Sequence, residues 1–226
     1  MALLARLKAL LTRRRPMRRP GTRQATSAAR KTDLPREDAL RAKLVDDPND
    51  MHAFRELAEL VRRRADSVEP VDPLIAEHEP ADRARSADVA IWALAEELAG
   101  NPRAWFPLVE LARLSLHDDH EGAMRRLNAA CEREHTGLAV AEGVRTLREG
   151  DLPGDGLGLG VGQWSPKEHI PEAGRQIVLA ALEADRPYDA RKHLEELKVR
   201  DDAETAAVIA ELTPRVEAAE RTANSS

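Results

Sequence analysis

Three observations predict an all-α fold. Ala and Leu supply 38 and 28 of the 226 residues, against 24 for Val, Ile, Phe, Tyr and Trp together. Ala and Leu lose little freedom in a helix, whereas strands favour β-branched and aromatic side chains. Apolar residues recur at three- and four-residue intervals over most of the chain, the period of a helix with one buried face. Asp-Pro, Gly-Asn-Pro and Asp/Asn clusters separate these runs where helices start and stop. A length of 226 residues fits one domain or two small ones.

The elements follow in order. Met1 to Thr12 sets Leu3, Leu4, Leu7, Leu10 and Leu11 on one helical face, with Arg6 and Lys8 off it. That is a short amphipathic helix, marginal alone and able to form against a surface. Residues 13–32 hold Arg13, Arg14, Arg15, Pro16, Arg18, Arg19, Pro20 and Gly21 and no carboxylate, and read as disordered. Ala39, Leu40 and Leu44 mark a helix from Asp38 to Asp46-Asp47-Pro48. Asn49 or Asp50 caps the next, which turns Phe54, Leu57, Ala58 and Val61 inward. Residues 66–82 carry six acids, three prolines and no Lys or Arg, an extended acidic loop. A helix from near Ser86 carries Val89, Trp92, Ala93 and Leu98 and stops at Gly100-Asn101-Pro102. Helices over 103–116, 120–134 and 137–149 come next. Six glycines make 150–166 a flexible loop, with Leu157, Leu159, Val161 and Trp164 tucked onto the helices. Helices over 171–185, 188–199 and 203–221 finish the chain, Pro214 kinking or dividing the last.

The net charge of −5 conceals a division along the chain. Residues 1–36 carry eleven bases and the single acid Asp33, for +10, while residues 37–226 carry 24 bases and 39 acids, for −15. An acidic body repels polyanions, so any attraction to them belongs to the arm. Leu3, Leu7 and Leu11 with Arg13, Arg14, Arg15, Arg18 and Arg19 combine an apolar stripe and a polybasic patch, the two signals of peripheral docking on an anionic membrane. Nucleic-acid or ribosomal phosphates are an alternative partner, although the arm has no aromatic residue on which bases stack. A transit peptide has the same composition, and a solvated tail without a partner is the fourth reading. A secretory signal is disfavoured, because charges interrupt the apolar stretch and the basic block follows it. No run approaches the roughly 18 apolar residues of a membrane span. Arg outnumbers Lys by 29 to 6, as in GC-rich genomes, and the single Cys131 excludes an internal disulfide framework. The expected setting is therefore a bacterial cytoplasm, peripheral to the inner membrane face.

Two stretches align without a gap when Pro48 is set on Pro102, an offset of 54 residues. Phe54 then falls on Leu108, Leu57 on Leu111, Ala58 on Ala112 and Leu60 on Leu114. Here the chain resembles the tetratricopeptide repeat family, whose unit is a helix–turn–helix of about 34 residues. The acidic loop at 66–82 accounts for the excess as an insertion. Ala90 and Leu94 fit the second helix of the first unit, and Ala123, Leu127 and Ala130 that of the second. Leu182, Tyr188, Asp189, Ala190 and Leu194 fit another unit near the C-terminus. Val61 and Ser115 stand where the family has aromatics, and no Pro closes the unit after 134. The resemblance implies a helical-hairpin solenoid, in which neighbouring pairs share a core that one pair cannot bury alone. It further implies a groove lined by the first helix of each pair, with His52, Arg55, Glu59 and Arg62 from one and Phe106, Val109 and Arg113 from the next. A groove of Arg, Glu and aromatic residues suits a peptide or a partner helix. An ordinary irregular helical bundle is the competing architecture.

Signals of chemistry are weak. His117-Asp118-Asp119-His120-Glu121 has metal-binding donors, but it falls at a helix–helix turn where an Asp caps the following helix. The glycines of 150–162 lack the terminal Lys-Ser/Thr of a phosphate loop and the spacing of a dinucleotide fingerprint. Gly-x-Ser-x-Gly and His-Glu-x-x-His are absent from the chain. The expectation is a non-enzymatic protein–protein adaptor without cofactor or metal. Its parts are the arm 1–32, helical repeats over 33–149 with the loop 66–82, the Gly-rich loop 150–166 and a C-terminal repeat with closing helix over 167–226.

Overall fold

The computed structural model describes residues 24–66 and 80–225, which form ten helices and no strand. These are α1 (Gln24–Asp46), α2 (Met51–Asp66), α3 (Pro80–Ala99), α4 (Phe106–Ser115), α5 (His120–Arg133), α6 (Leu138–Glu149), α7 (Pro153–Gln163), α8 (Pro171–Glu183), α9 (Pro187–Leu197) and α10 (Ala203–Ala223). The chain divides into two units, 1–36 and 37–226. In the first, the described part is helical from Gln24 onward and Leu34 is half exposed.

Four expectations change. Of the acidic loop expected over 66–82, residue 66 ends α2, residues 67–79 lie outside the described part, and residues 80–82 belong to α3, which starts six residues before Ser86. The stretch read as disordered to residue 32 is helical from Gln24, while residues 13–23 lie outside the described part. Residues 153–163 form a helix where a flexible Gly-rich loop was expected. Pro214 does not divide α10, which runs unbroken from Ala203 to Ala223. For α7 the cause is packing: its glycines disfavour a helix, but Leu157, Leu159 and Gly160 are buried and Pro153 starts the helix where no amide is needed. Gly160 lies so close to Ile177 of α8 that a Cβ there would stand 2.4 Å from Cγ1.

Each helix from α2 to α9 packs against its successor, and α4, α6 and α8 also pack against the helix two places on. One core runs the length of this ladder, from Leu40 and Leu44 through Phe54 and Phe106 to Leu212 and Val216. Ala95, Ala112, Ala123, Ala130 and Ala190 are fully buried within it, which lets helices approach closely in a chain with few aromatics.

The connections repeat. Asp47 Oδ1 accepts from the Asn49 amide and Asn101 Oδ1 from the Arg103 amide, 54 residues apart in each position. The Asp50 amide returns to the Asp47 carbonyl as the Ala104 amide does to that of Asn101. A second correspondence has an offset of 34. Glu149-Gly150-Asp151-Leu152-Pro153 joins α6 to α7 as Glu183-Ala184-Asp185-Arg186-Pro187 joins α8 to α9. Asp151 (φ 60°) and Asp185 (φ 56°) are both left-handed. The next amide in each turn reaches back five residues, Leu152 to the Leu147 carbonyl and Arg186 to that of Ala181.

Neighbouring connections also bond to each other. Asn49 Oδ1 accepts from the Trp105 and Phe106 amides at 2.8 and 3.1 Å, and its Nδ2 donates to the Arg103 carbonyl. Asn49 thus caps α4 from the preceding turn, in place of a side-chain cap of α4's own. Replacing it with Ala strands two part-buried amides. We expect Asn49→Ala to lose about 1–3 kcal/mol of unfolding free energy in urea, and Asn49→Asp clearly less. Equal losses from both would show that the acceptor oxygen is not the operative group.

Candidate functional site

A cleft of about 400 Å³ opens across α2, α4 and α6. From α2 come Arg55, Glu59 and Arg62, from α4 Glu110 and Arg113, and from α6 Glu142, Arg145, Thr146 and Glu149. Charges dominate this lining and balance, four guanidiniums against four carboxylates. The three helices enter from one edge: Asn49 ties the start of α2 to that of α4, and Arg133, at the end of α5, donates to the Ala99, Asn101 and Ala104 carbonyls before α4.

Most of these charges are paired. Arg55 donates to Glu142 Oε2 at 2.9 Å, a bond from α2 to α6 past the intervening α4, and its guanidinium lies 5.3 Å from the Phe106 ring centroid. Glu142 also accepts from Arg145 at 2.7 Å, and Arg145 continues to Glu172 of α8, again at 2.7 Å. Glu172 accepts from Gln176, which bonds Arg148, and Arg148 pairs with Glu183. Arg175 of α8 carries the lattice to Glu211 of α10 at 2.7 Å. On the floor Arg113 pairs with the buried Glu110. Among the described residues Arg62 pairs only with its helical neighbour Glu59, at 3.1 Å, and Glu59 is 61% exposed. The Glu149 side chain makes no hydrogen bond or ion pair among the described residues.

Arg55, Glu59, Arg62 and Arg113, assigned to a groove from the sequence, line this cleft together. Three assignments change. Phe106 and Val109 are 0% and 1% exposed and belong to the core, because α4 is buried on nearly every side between α3, α5 and α6. His52 faces solvent outside the cleft, 3.6 Å from Glu56. Sequence reasoning missed the whole α6 wall and Glu110. Leu3, Leu7, Leu11, Arg13, Arg14, Arg15, Arg18 and Arg19 lie outside the described residues.

The other chemical signals have structural roles. Asp119 caps α5 by accepting from the Gly122 amide at 2.9 Å, and that bond leads the causes that hold its carboxyl below the usual range. Among the described residues no three His, Cys, Asp or Glu side chains converge as a metal site. Burial and the nearby Glu134 push the Cys131 thiol up to about 12, so it is not a thiolate at neutral pH. No described helix is long and apolar enough to cross a membrane.

Two groups hold the connections beside the stack. Burial tends to raise the Glu134 carboxyl, but bonds from the Thr136 amide and hydroxyl and the Ala139 amide outweigh it and keep it below the usual range. His169 is buried, and the Ser165 amide donates to its Nδ1 at 3.3 Å. It packs on Gly137 (φ 91°), where a Cβ would stand 2.6 Å from that of His169. Burial lowers the His169 pKa, against the pull of Glu134 and Glu168. A histidine depressed in the folded state adds stability above its unfolded pKa of about 6.5 and loses it as pH falls through the folded value. Unfolding free energy is therefore expected to drop between pH 7.5 and 5.5, and His169→Asn, whose Oδ1 still accepts from Ser165, to flatten that drop. An unchanged slope in urea titrations would exclude His169 as its source.

No protein-family model, no curated protein and no solved structure matches this chain.

Proposed function

We propose that the chain is a non-enzymatic adaptor, a tetratricopeptide-like stack of helical hairpins that holds a segment of another protein in the α2/α4/α6 cleft. Its N-terminal arm is proposed to steer it to an anionic membrane surface. The observation that carries this reading is a charge-lined cleft built from three alternate helices of a ladder in which, among the described residues, the main helix contacts join neighbours and next-but-one neighbours in chain order. The repeated connections at offsets of 54 and 34 residues support the hairpin-stack reading, since equivalent turns set equivalent pairs side by side. A concave face shared by successive hairpins is the usual place where such stacks bind an extended or helical partner.

The test is site-specific photo-crosslinking in cells. A photo-reactive residue replacing Glu59, in the cleft, is expected to capture one discrete partner, while the same residue replacing Lys192 on α9 captures none. Equal adducts from both positions, or none from either, would remove the adaptor reading. For the arm, the full chain is expected to co-sediment with anionic but not neutral vesicles at low salt. Replacing Arg13, Arg14, Arg15, Arg18 and Arg19 together with Gln should abolish this. Retention of the full chain by RNA in place of vesicles would move the arm to nucleic-acid phosphates.

A further inference from the structure

The two walls of the cleft carry opposite charge sequences in one register. Along α2 the charged lining residues are Arg55, Glu59 and Arg62, and along α6 they are Glu142, Arg145 and Glu149. The first reads plus, minus, plus and the second minus, plus, minus, over the same seven-residue span, two helical turns or about 10 Å. The bond from Arg55 to Glu142 fixes the register, each being the fifth residue of its helix.

Only that first rung is closed. At the far rung Arg62 turns to Glu59 on its own helix and Glu149 has no partner among the described residues. In the middle, Arg145 turns to Glu142 and Glu172 in place of Glu59. The walls are thus complementary yet apart beyond Arg55, with a charge-balanced opening between them.

Resting on the adaptor reading above, we propose that this opening takes a partner α-helix with alternating charge. The stripe toward α2 carries acid, base, acid at four-residue steps or nearly so, and the stripe toward α6 the reverse, so the segment is close to neutral overall. A uniformly charged segment fails on electrostatic grounds. An acidic one meets Glu59, Glu110, Glu142 and Glu149, and a basic one meets the four guanidiniums, so each gains on alternate residues what it loses on the rest. A purely apolar segment would desolvate paired charges without replacing their bonds. An alternating helix replaces the weak Arg62–Glu59 contact and gives Glu149 a cation, and both changes favour binding.

The test offers the full chain a phage-displayed library of Ala-rich helices in which only one stripe, at i, i+4 and i+7, varies among Glu, Lys, Gln and Leu. The wild-type chain is expected to enrich acid–base–acid or base–acid–base stripes over uniform ones by roughly tenfold, equivalent to about 1.4 kcal/mol. The double variant Arg62→Glu/Glu149→Arg keeps the net charge and inverts only the open rung. It should enrich stripes whose last position has changed sign. A circular-dichroism melt of the variant checks that it folds, and single Arg62→Gln and Glu149→Gln variants, which should each relax the choice at that last position, serve if it does not. Enrichment of uniform or apolar stripes, or the same stripes from wild type and variants, overturns the alternation proposal and leaves the adaptor reading standing. No enrichment of any stripe counts against the groove itself.

Discussion

Phe106→Ala is expected to cost roughly 3–5 kcal/mol of stability, a large share of the about 5–15 kcal/mol that holds a domain together. The ring is wholly buried at the start of α4, edge-on to Phe54 at 5.5 Å and 87° and to Trp105 at 5.6 Å. It also lies beneath the Arg55 guanidinium, which bonds Glu142 on α6. Truncation therefore opens a cavity where α2, α4 and α6 meet and removes the support of the one closed rung in the cleft. Phe106→Leu keeps most of the volume and should cost about 1–1.5 kcal/mol. Denaturation in urea separates the two variants by midpoint. A Phe106→Ala protein as stable as wild type but unable to bind a partner would return Phe106 to the groove lining that the repeat alignment gave it.

That misplacement shows which parts of this fold are legible in its sequence. Helices with one wet face announce themselves: Phe54, Leu57 and Ala58 are buried while Arg55 and Glu59 of the same helix are exposed, as their spacing predicts. Helix α4 has no such contrast. Every residue from Phe106 to Ala112 is buried, so the pattern could not say which of them faces a groove. Its N-terminal cap was equally hidden, since the capping oxygen belongs to Asn49, 57 residues before Phe106. The α6 wall had a readable signal in the turn Glu149-Gly150-Asp151-Leu152-Pro153-Gly154-Asp155, which matches residues 183–189 at an interval of 34. The glycines around it pointed instead to a loop, because helix propensity counts the backbone cost of glycine and knows nothing of Val144, Leu147 and Ile177 packed against Gly156 and Gly160.

Those glycines fall into two sets with opposite expected effects. A Cβ on Gly154, Gly158 or Gly162 would meet nothing within 4 Å, and the three sit at four-residue intervals on the open side of α7. There the only difference that Ala makes is a smaller loss of backbone freedom on folding, so Gly158→Ala is expected to stabilise the protein by about 1 kcal/mol. The triple Gly154→Ala/Gly158→Ala/Gly162→Ala variant should gain about 2–3 kcal/mol, since exposed and non-contacting sites add. Gly160 lies on the packed side of α7, and Gly174 is a buried glycine of α8. Their added methyls would stand 2.4 Å from Ile177 Cγ1 and 2.6 Å from both Leu197 Cδ2 and Trp164 Cζ2. Ile177 and Leu197 are themselves 0% and 1% exposed and have no room to retreat, so Gly160→Ala and Gly174→Ala should each cost about 1–3 kcal/mol. Thermal melts of the four variants decide the matter by sign alone. If Gly158→Ala and Gly160→Ala shifted the melting temperature the same way, α7 would not be a helix seated on α6 and α8, and the α6 wall of the cleft would lose its buttress.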